Sequence, residues 1–191
     1  QVFAGGGYIT STGDITGALY KSSNASSVDA VTWTRVLPSE KEALTGQYIK
    51  SIAQPWGNSN VILVADSLNG IYRSTDNGTT WSLLSNTEGA TYVYFNPMHR
   101  DTVFAVRNNA GVWQVMKSFD GGATFTALSQ NFTYPVTSVS MDSAFNQYLY
   151  VTTWGAGVYR STNFGESFTQ IISGTLNLNV FSLSVNKDTT N

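Results

Sequence analysis

One segment recurs four times along the chain, and its spacing limits the fold more than any other feature. The copies are Ala18-Leu19-Tyr20-Lys21-Ser22-Ser23-Asn24, Gly70-Ile71-Tyr72-Arg73-Ser74-Thr75-Asp76, Gln114-Val115-Met116-Lys117-Ser118-Phe119-Asp120 and Gly157-Val158-Tyr159-Arg160-Ser161-Thr162-Asn163. Each leads to an aromatic: Trp33, Trp81, Phe125 and Phe168. Successive motif serines lie 52, 44 and 43 residues apart. Self-similarity at such a period marks one supersecondary unit that buries its faces by stacking on its own copies.

The residues between the copies identify the unit. Val136–Met141, Tyr148–Thr153, Gly157–Ser161 and Phe168–Ile172 read as four short strands joined by turn-rich links. Tyr92–Phe95, Thr102–Arg107, Gly111–Ser118 and Phe125–Leu128 repeat that order, as do Tyr48–Ala53, Asn60–Ala65, Gly70–Ser74 and Trp81–Leu84. No helical period of useful length is present. Four antiparallel strands per period make a β-propeller blade. The fold class is therefore all-β, a propeller of four-stranded blades with four blades visible.

Blades are expected near 46–85, 90–129 and 134–172, with a split blade formed by 1–37 and 176–191. Gln1–Gly5 reads as a second strand and Val180–Val185 as a first strand. Joined head to tail, the termini resemble the internal stretch Phe95–Ala105. Residues 1–191 then form either a closed four-bladed ring or a four-blade segment of a larger propeller; the segment is preferred, because Gln1 reads as a processed or truncated start.

Composition agrees. Aromatics are 13% and charged residues only 12%, about half the usual charged share. Net charge is −2, and no basic run marks a nucleic-acid footprint. No apolar stretch approaches the roughly 18 residues of a membrane-spanning helix. The absence of cysteine removes disulfides, thiolate metal sites and cysteine nucleophiles together. With His99 the only histidine, neither a histidine metal site nor a Ser–His triad is expected. Gly5-Gly6-Gly7 opens no helix and is not a phosphate loop. No cofactor and no metal are expected.

The motif itself carries local chemistry. Ser74-Thr75-Asp76-Asn77-Gly78-Thr79-Thr80-Trp81 fits Ser-x-Asp-x-Gly-x-x-Trp in full. Ser118, Asp120, Gly122 and Phe125 repeat it with Phe for Trp; Ser161, Asn163, Gly165 and Phe168 repeat it with Asn for Asp. In the first copy, Ser22 and Trp33 stand 11 apart rather than 7. An Asp or Asn there accepts backbone N–H bonds and holds a tight turn. Gly supplies a positive φ, and the aromatic buries a large face. These roles are structural.

On this motif the whole chain resembles the Asp-box, or bacterial neuraminidase repeat, propellers. That group includes sialidases, glycoside hydrolase family 74 xyloglucanases, sortilin-type receptor domains and photosystem II assembly factors. The likeness to sialidases ends at the box, because the Phe/Tyr-Arg-Ile-Pro motif near their start is absent. The xyloglucanase likeness goes further. That family's catalytic Asp lies in a Thr-Asp-Ile-Gly-Gly-Ala-Tyr-Arg-like stretch, and Gly13-Asp14-Ile15-Thr16-Gly17-Ala18-Leu19-Tyr20 is similar. Asp66 holds the matching place one blade on. The resemblance makes Asp14 and Asp66 weak catalytic candidates, a carboxylate pair for inverting hydrolysis. The family sets its second carboxylate on a second propeller, however, so both read better as loop residues.

Binding readings rest on aromatics and sequons. Trp56, Trp113 and Trp154 are candidate ligand aromatics, Trp56 being the one most expected to be exposed. Asn24, Asn77 and Asn131 open Asn-x-Ser/Thr sequons and are candidate N-glycosylation sites. The expectation is an extracellular, non-catalytic glycoprotein module for binding or assembly, its partner a carbohydrate, another protein or further blades of the same propeller. The alternative is a fragment of a xyloglucanase-like endo-β-glucanase.

Overall fold

The computed structural model describes residues 1–9, 15–26, 30–37, 48–57, 60–142, 145, 147–172 and 178–185. Among them are fifteen strands and no helix, in four antiparallel sheets. The chain divides into two compact units, 1–91 and 92–191.

In the first unit, β1 (Val2–Ile9), β2 (Ile15–Ser22) and β3 (Thr34–Leu37) form a three-stranded meander. β4 (Ile49–Ala53), β5 (Ile62–Asp66), β6 (Gly70–Ser74) and β7 (Ser82–Leu83) form a four-stranded one. Every residue of β5, Ile-Leu-Val-Ala-Asp, is buried. That is why this strand reads as a continuous apolar run rather than an alternating one. Leu19, Leu37, Ile62 and Val64 form the core, with Phe3, Val36, Ile49, Ile52, Tyr72 and Trp81 packed around it.

In the second unit, the sheets are β8 (Ala90–Phe95), β9 (Val103–Asn109), β10 (Val112–Ser118) and β11 (Thr126–Phe132), then β12 (Val136–Met141), β13 (Leu149–Thr153), β14 (Gly157–Ser161) and β15 (Thr169–Ile172). Their core joins Phe104, Val106 and Val115 to Phe132, Val139, Leu149 and Val151. Phe132 meets Tyr159 and Phe168 edge to face at 5.2 and 5.5 Å, the arrangement ring quadrupoles favour.

The strands match the expected runs closely, with two instructive departures. β11 continues to Phe132, beyond the expected Leu128. A bulge between Gln114 and Met116 lets Trp113 and Gln114 pair with Phe132 and Asn131, lengthening the ladder while residues 128–130 of β11 stand opposite Val115 alone. The second concerns the strand expected at Val180–Val185, where 180–185 form no ladder among the described residues. The chain at 178–180 bonds to the end of β13: Gly155 N and Gly157 N both donate to Leu178 O, and Val180 N donates to Thr153 O. Residues 186–191 lie outside the described part.

Candidate functional site

The repeated turns come first, because they account for most of the conspicuous polar residues. Ser74 closes β6 and its Oγ accepts from Gly78 N at 2.8 Å while donating to Asp76 Oδ1 at 2.8 Å. Asp76 Oδ1 also accepts Thr79 N and Thr80 N, and Oδ2 accepts the Thr80 hydroxyl. The turn after β10 repeats this bond for bond. Ser118 Oγ takes Gly122 N, and Asp120 takes Ala123 N, Thr124 N and both hydroxyls. In the last copy Asn163 Oδ1 accepts Ser161 Oγ and Ser167 N, while its amide nitrogen donates to Ser167 Oγ.

These bonds set the acidity of the two aspartates. The Thr80 hydroxyl and amide, then Ser74 and Thr79, hold the Asp76 carboxyl far below the usual range. At Asp120, burial acts upward but is outweighed by Thr124, Ser118 and Ala123, and the carboxyl falls equally far. A carboxylate so saturated with donors is a poor proton acceptor.

The first copy is less degenerate than its spacing suggests. Asn24 Oδ1 accepts Ser22 Oγ, Thr32 N and Thr32 Oγ1, and its amide nitrogen donates to Ala30 O. Asn24 and Thr32 thus keep the bonds that Asp76 and Thr80 make, although four more residues separate them in the sequence. Sequence reasoning missed a common element here. The residue before each motif aromatic is a hydroxyl, Thr32, Thr80, Thr124 or Ser167, and the signal stood in the sequence.

Asp66 and Asp14 differ in what can be said of them. Asp14 lies outside the described residues. Asp66 ends β5, is only 2% exposed, and accepts Leu68 N and Asn69 N at 2.9 Å each. It thus caps the 67–69 turn as an Asx acceptor. Burial pushes its pKa above the usual carboxylate value against the opposing pull of those two N–H bonds. Burial and the nearby Asp66 charge together raise the pKa of Tyr72, whose hydroxyl accepts the Asn69 amide.

The tryptophans separate. Trp56 is 78% exposed. Trp113 is half-buried against the core of the second unit. Trp154, 42% exposed, meets the 68% exposed Phe181 edge to face at 4.5 Å. Beside them Gly155 adopts φ +110, and a Cβ there would lie 2.6 Å from the Tyr134 ring, itself exposed. Tyr134 and Phe181 had no signal in the sequence, because only the return of 178–181 to β13 brings Phe181 to Trp154.

Of the sequon asparagines, Asn131 is exposed and its Oδ1 accepts Gln114 Nε2. Asn77 sits inside a repeat turn at φ 61, half-buried like Asn24. His99 is exposed. Among the described residues no three His, Cys, Asp or Glu side chains group as a metal site, and no helix is long and apolar enough to cross a membrane.

No family model and no curated protein sequence matches the chain. Solved structures do. An ancestral GH74 enzyme is 22% identical with a TM-score of 0.63, over 83% of this chain and 23% of its own. The GH74 enzyme of Niastella koreensis is 25% identical with a TM-score of 0.58, over 84% of this chain and 27% of its own. YCF48 from Cyanidioschyzon merolae is 14% identical with a TM-score of 0.55, over 68% and 38%. The four sheets are β-propeller blades. The chain spans less than two fifths of the length of each of these three structures, and likeness at this identity speaks for the fold alone.

Proposed function

We propose that this chain is a four-blade segment of a larger Asp-box propeller and serves as an extracellular, non-catalytic module that binds carbohydrate. The blades are 46–85, 90–129, 134–172 and a first blade at 1–37, for which 176–191 is the proposed source of the fourth strand. The observation that carries the binding reading is the Trp154–Phe181 pair. Two large rings stay exposed while locked edge to face, and three backbone bonds from Gly155, Gly157 and Val180 fix the segment that bears them. A rigid exposed aromatic surface of this kind is costly unless something covers it, and ring faces suit the C–H faces of sugars. The carboxylates support the same reading from the other side, since Asp66, Asp76 and Asp120 are engaged by their own turns.

The test is retention of the chain on immobilised β-glucans and on a glycan array. Retention that Trp154→Ala abolishes and Trp113→Phe leaves intact supports the module; equal retention of wild type and Trp154→Ala overturns it. The second reading is a fragment of a xyloglucanase-like hydrolase, favoured by the GH74 neighbours. Turnover of xyloglucan that is lost in Asp14→Ala or Asp66→Asn would establish it and sink the non-catalytic assignment.

A further inference from the structure

Blade stacking within each unit uses one repeated device. In the first unit, Lys21 of the first blade donates to Asn77 O in the second blade's turn at 2.7 Å. Phe3, paired with Lys21 across the ladder, lies where a Cβ on Gly78 would come within 2.8 Å of its ring. Val36, three residues after Trp33, lines the same groove beside Lys21, Gly78 and Thr79.

The second unit repeats the device. Lys117 of the third blade donates to Phe164 O in the fourth blade's turn at 3.1 Å. Phe104, paired with Lys117, faces the Phe164 ring at 6.3 Å. Leu128, three residues after Phe125, would lie 2.6 Å from a Cβ on Gly165, and Ser129 Oγ donates to Glu166 O. The two carbonyls that receive the lysines belong to the same turn position, and both residues are left-handed, at φ 61 and 62. A cation, its cross-strand aromatic and an aliphatic residue thus grip the next blade's turn at its left-handed carbonyl and its glycine.

The fourth blade carries all three parts. Arg160 stands where Lys21 and Lys117 stand, Tyr150 is its cross-strand partner, and Ile171 is three residues after Phe168. Here the cation and the aliphatic residue are exposed, and Tyr150 is half-buried. Ile171 is 44% exposed, whereas Leu128 is half-buried. Arg160 is exposed, and among the described residues its guanidinium meets only the Tyr148 ring, at 5.7 Å.

We infer that Tyr150, Arg160 and Ile171 form an open stacking face, and that its occupant is the Ser-x-Asp-x-Gly turn of a further propeller blade. The inference rests on the larger-propeller reading above and names the contact by which that propeller continues. A second copy of this chain fits the face less well. Its second and fourth turns already receive a lysine, Gly121 of its third turn is engaged, and its first turn carries four extra residues. Arginine suits the task, since its fork offers several donors to a carbonyl-rich turn while its plane packs on an aromatic.

Arginine footprinting with phenylglyoxal, read peptide by peptide by mass spectrometry, tests this. The protein isolated from its native source is compared with the 191-residue chain. Arg160 is expected to react about tenfold more slowly in the native protein, because reaction there waits on opening of the covered face. Ile171→Asp in the native protein is expected to restore its reactivity, while glycan retention through Trp154 is unchanged. Equal Arg160 reactivity in the two proteins overturns the inference, whatever the glycan assay gives. So does protection that appears in the 191-residue chain as its concentration rises, which would assign the face to a second copy.

Discussion

Replacing Gly165 by alanine isolates the contact by which the third blade grips the fourth. Two costs are built into the site. Gly165 sits at φ +91, where an L side chain costs roughly 1–2 kcal/mol. The new Cβ would lie 2.6 Å from Leu128 Cδ1 and 3.4 Å from Leu149 Cδ2, and overpacking of this kind costs about 1–3 kcal/mol. Loss of glycine's freedom in the unfolded chain returns about 0.4–1 kcal/mol. The net expectation for Gly165→Ala is therefore about 2–4 kcal/mol. Gly111 separates the terms, because it has a similar φ of +90 but no atom within 4 Å of its Cβ position. Gly111→Ala should cost only about 1 kcal/mol. Urea unfolding followed by far-UV circular dichroism supplies both values. Combining Gly165→Ala with Leu128→Ala should relieve the clash and leave a coupling of about 1–3 kcal/mol in the double-mutant cycle. If Gly165→Ala costs no more than Gly111→Ala, or if the two changes add without coupling, the close packing of Leu128 on this turn is refuted.

Four further outcomes follow. Asp66→Ala should destabilise by about 1–3 kcal/mol, because it strands the Leu68 and Asn69 N–H groups, while Asp66→Asn keeps the acceptor and should be neutral or stabilising at pH 7 in the same urea assay. Since the folded-state pKa of Asp66 is raised, its contribution is full below the unfolded value near 4 and declines as pH rises through the folded one; the advantage of Asp66→Asn should therefore grow from pH 4 upward in thermal melts. Asp120 has the opposite sign: its pKa is lowered, so its stabilisation is present above pH 4 and vanishes on acidification, and Asp120→Asn should flatten the acid limb of the stability curve. Lys117→Met should lower the unfolding free energy by about 1–2 kcal/mol, through loss of the charged bond to Phe164 O and of the two ring contacts at Phe119 and Phe164, as urea midpoints would register.

The strands were legible because every blade obeys one pattern in which turn, strand and aromatic fall at fixed offsets. Where the pattern broke, legibility failed for local physical reasons. The bulge at Gln114 moved the end of β11, and no residue type there announces it. The first turn looked damaged at 22–33 because the spacing had changed, yet Asn24 and Thr32 preserve its bonds across the insertion. The attraction of 178–180 to the open amides of Gly155 and Gly157 depends on chain path, and no periodicity encodes it. The same holds for the Trp154–Phe181 pair. Trp154 stood out by type, but its partner comes from 27 residues on and from a stretch that reads as an ordinary strand.

The division between fold and function in this chain follows from how its hydrogen bonds are spent. A turn aspartate that accepts two amides and two hydroxyls has no capacity left for a substrate proton, so repeating it along the chain multiplies stability without creating a site. Chemistry or recognition must then fall to residues that the turns do not occupy. These are of two kinds. Exposed rings such as Trp154, Phe181 and Trp56 lie in the links between strands, where length and composition differ from blade to blade. The cation that precedes the motif serine, Lys21, Arg73, Lys117 or Arg160, lies instead at one fixed register on the strand before the turn. A residue tied to the repeat serves what the blades share, which for Lys21 and Lys117 is stacking on the next blade's turn. A residue in a variable link can differ between blades and so can specify one ligand. On that ground the two proposed roles divide, Arg160 to stacking on a further blade and Trp154 with Phe181 to the carbohydrate.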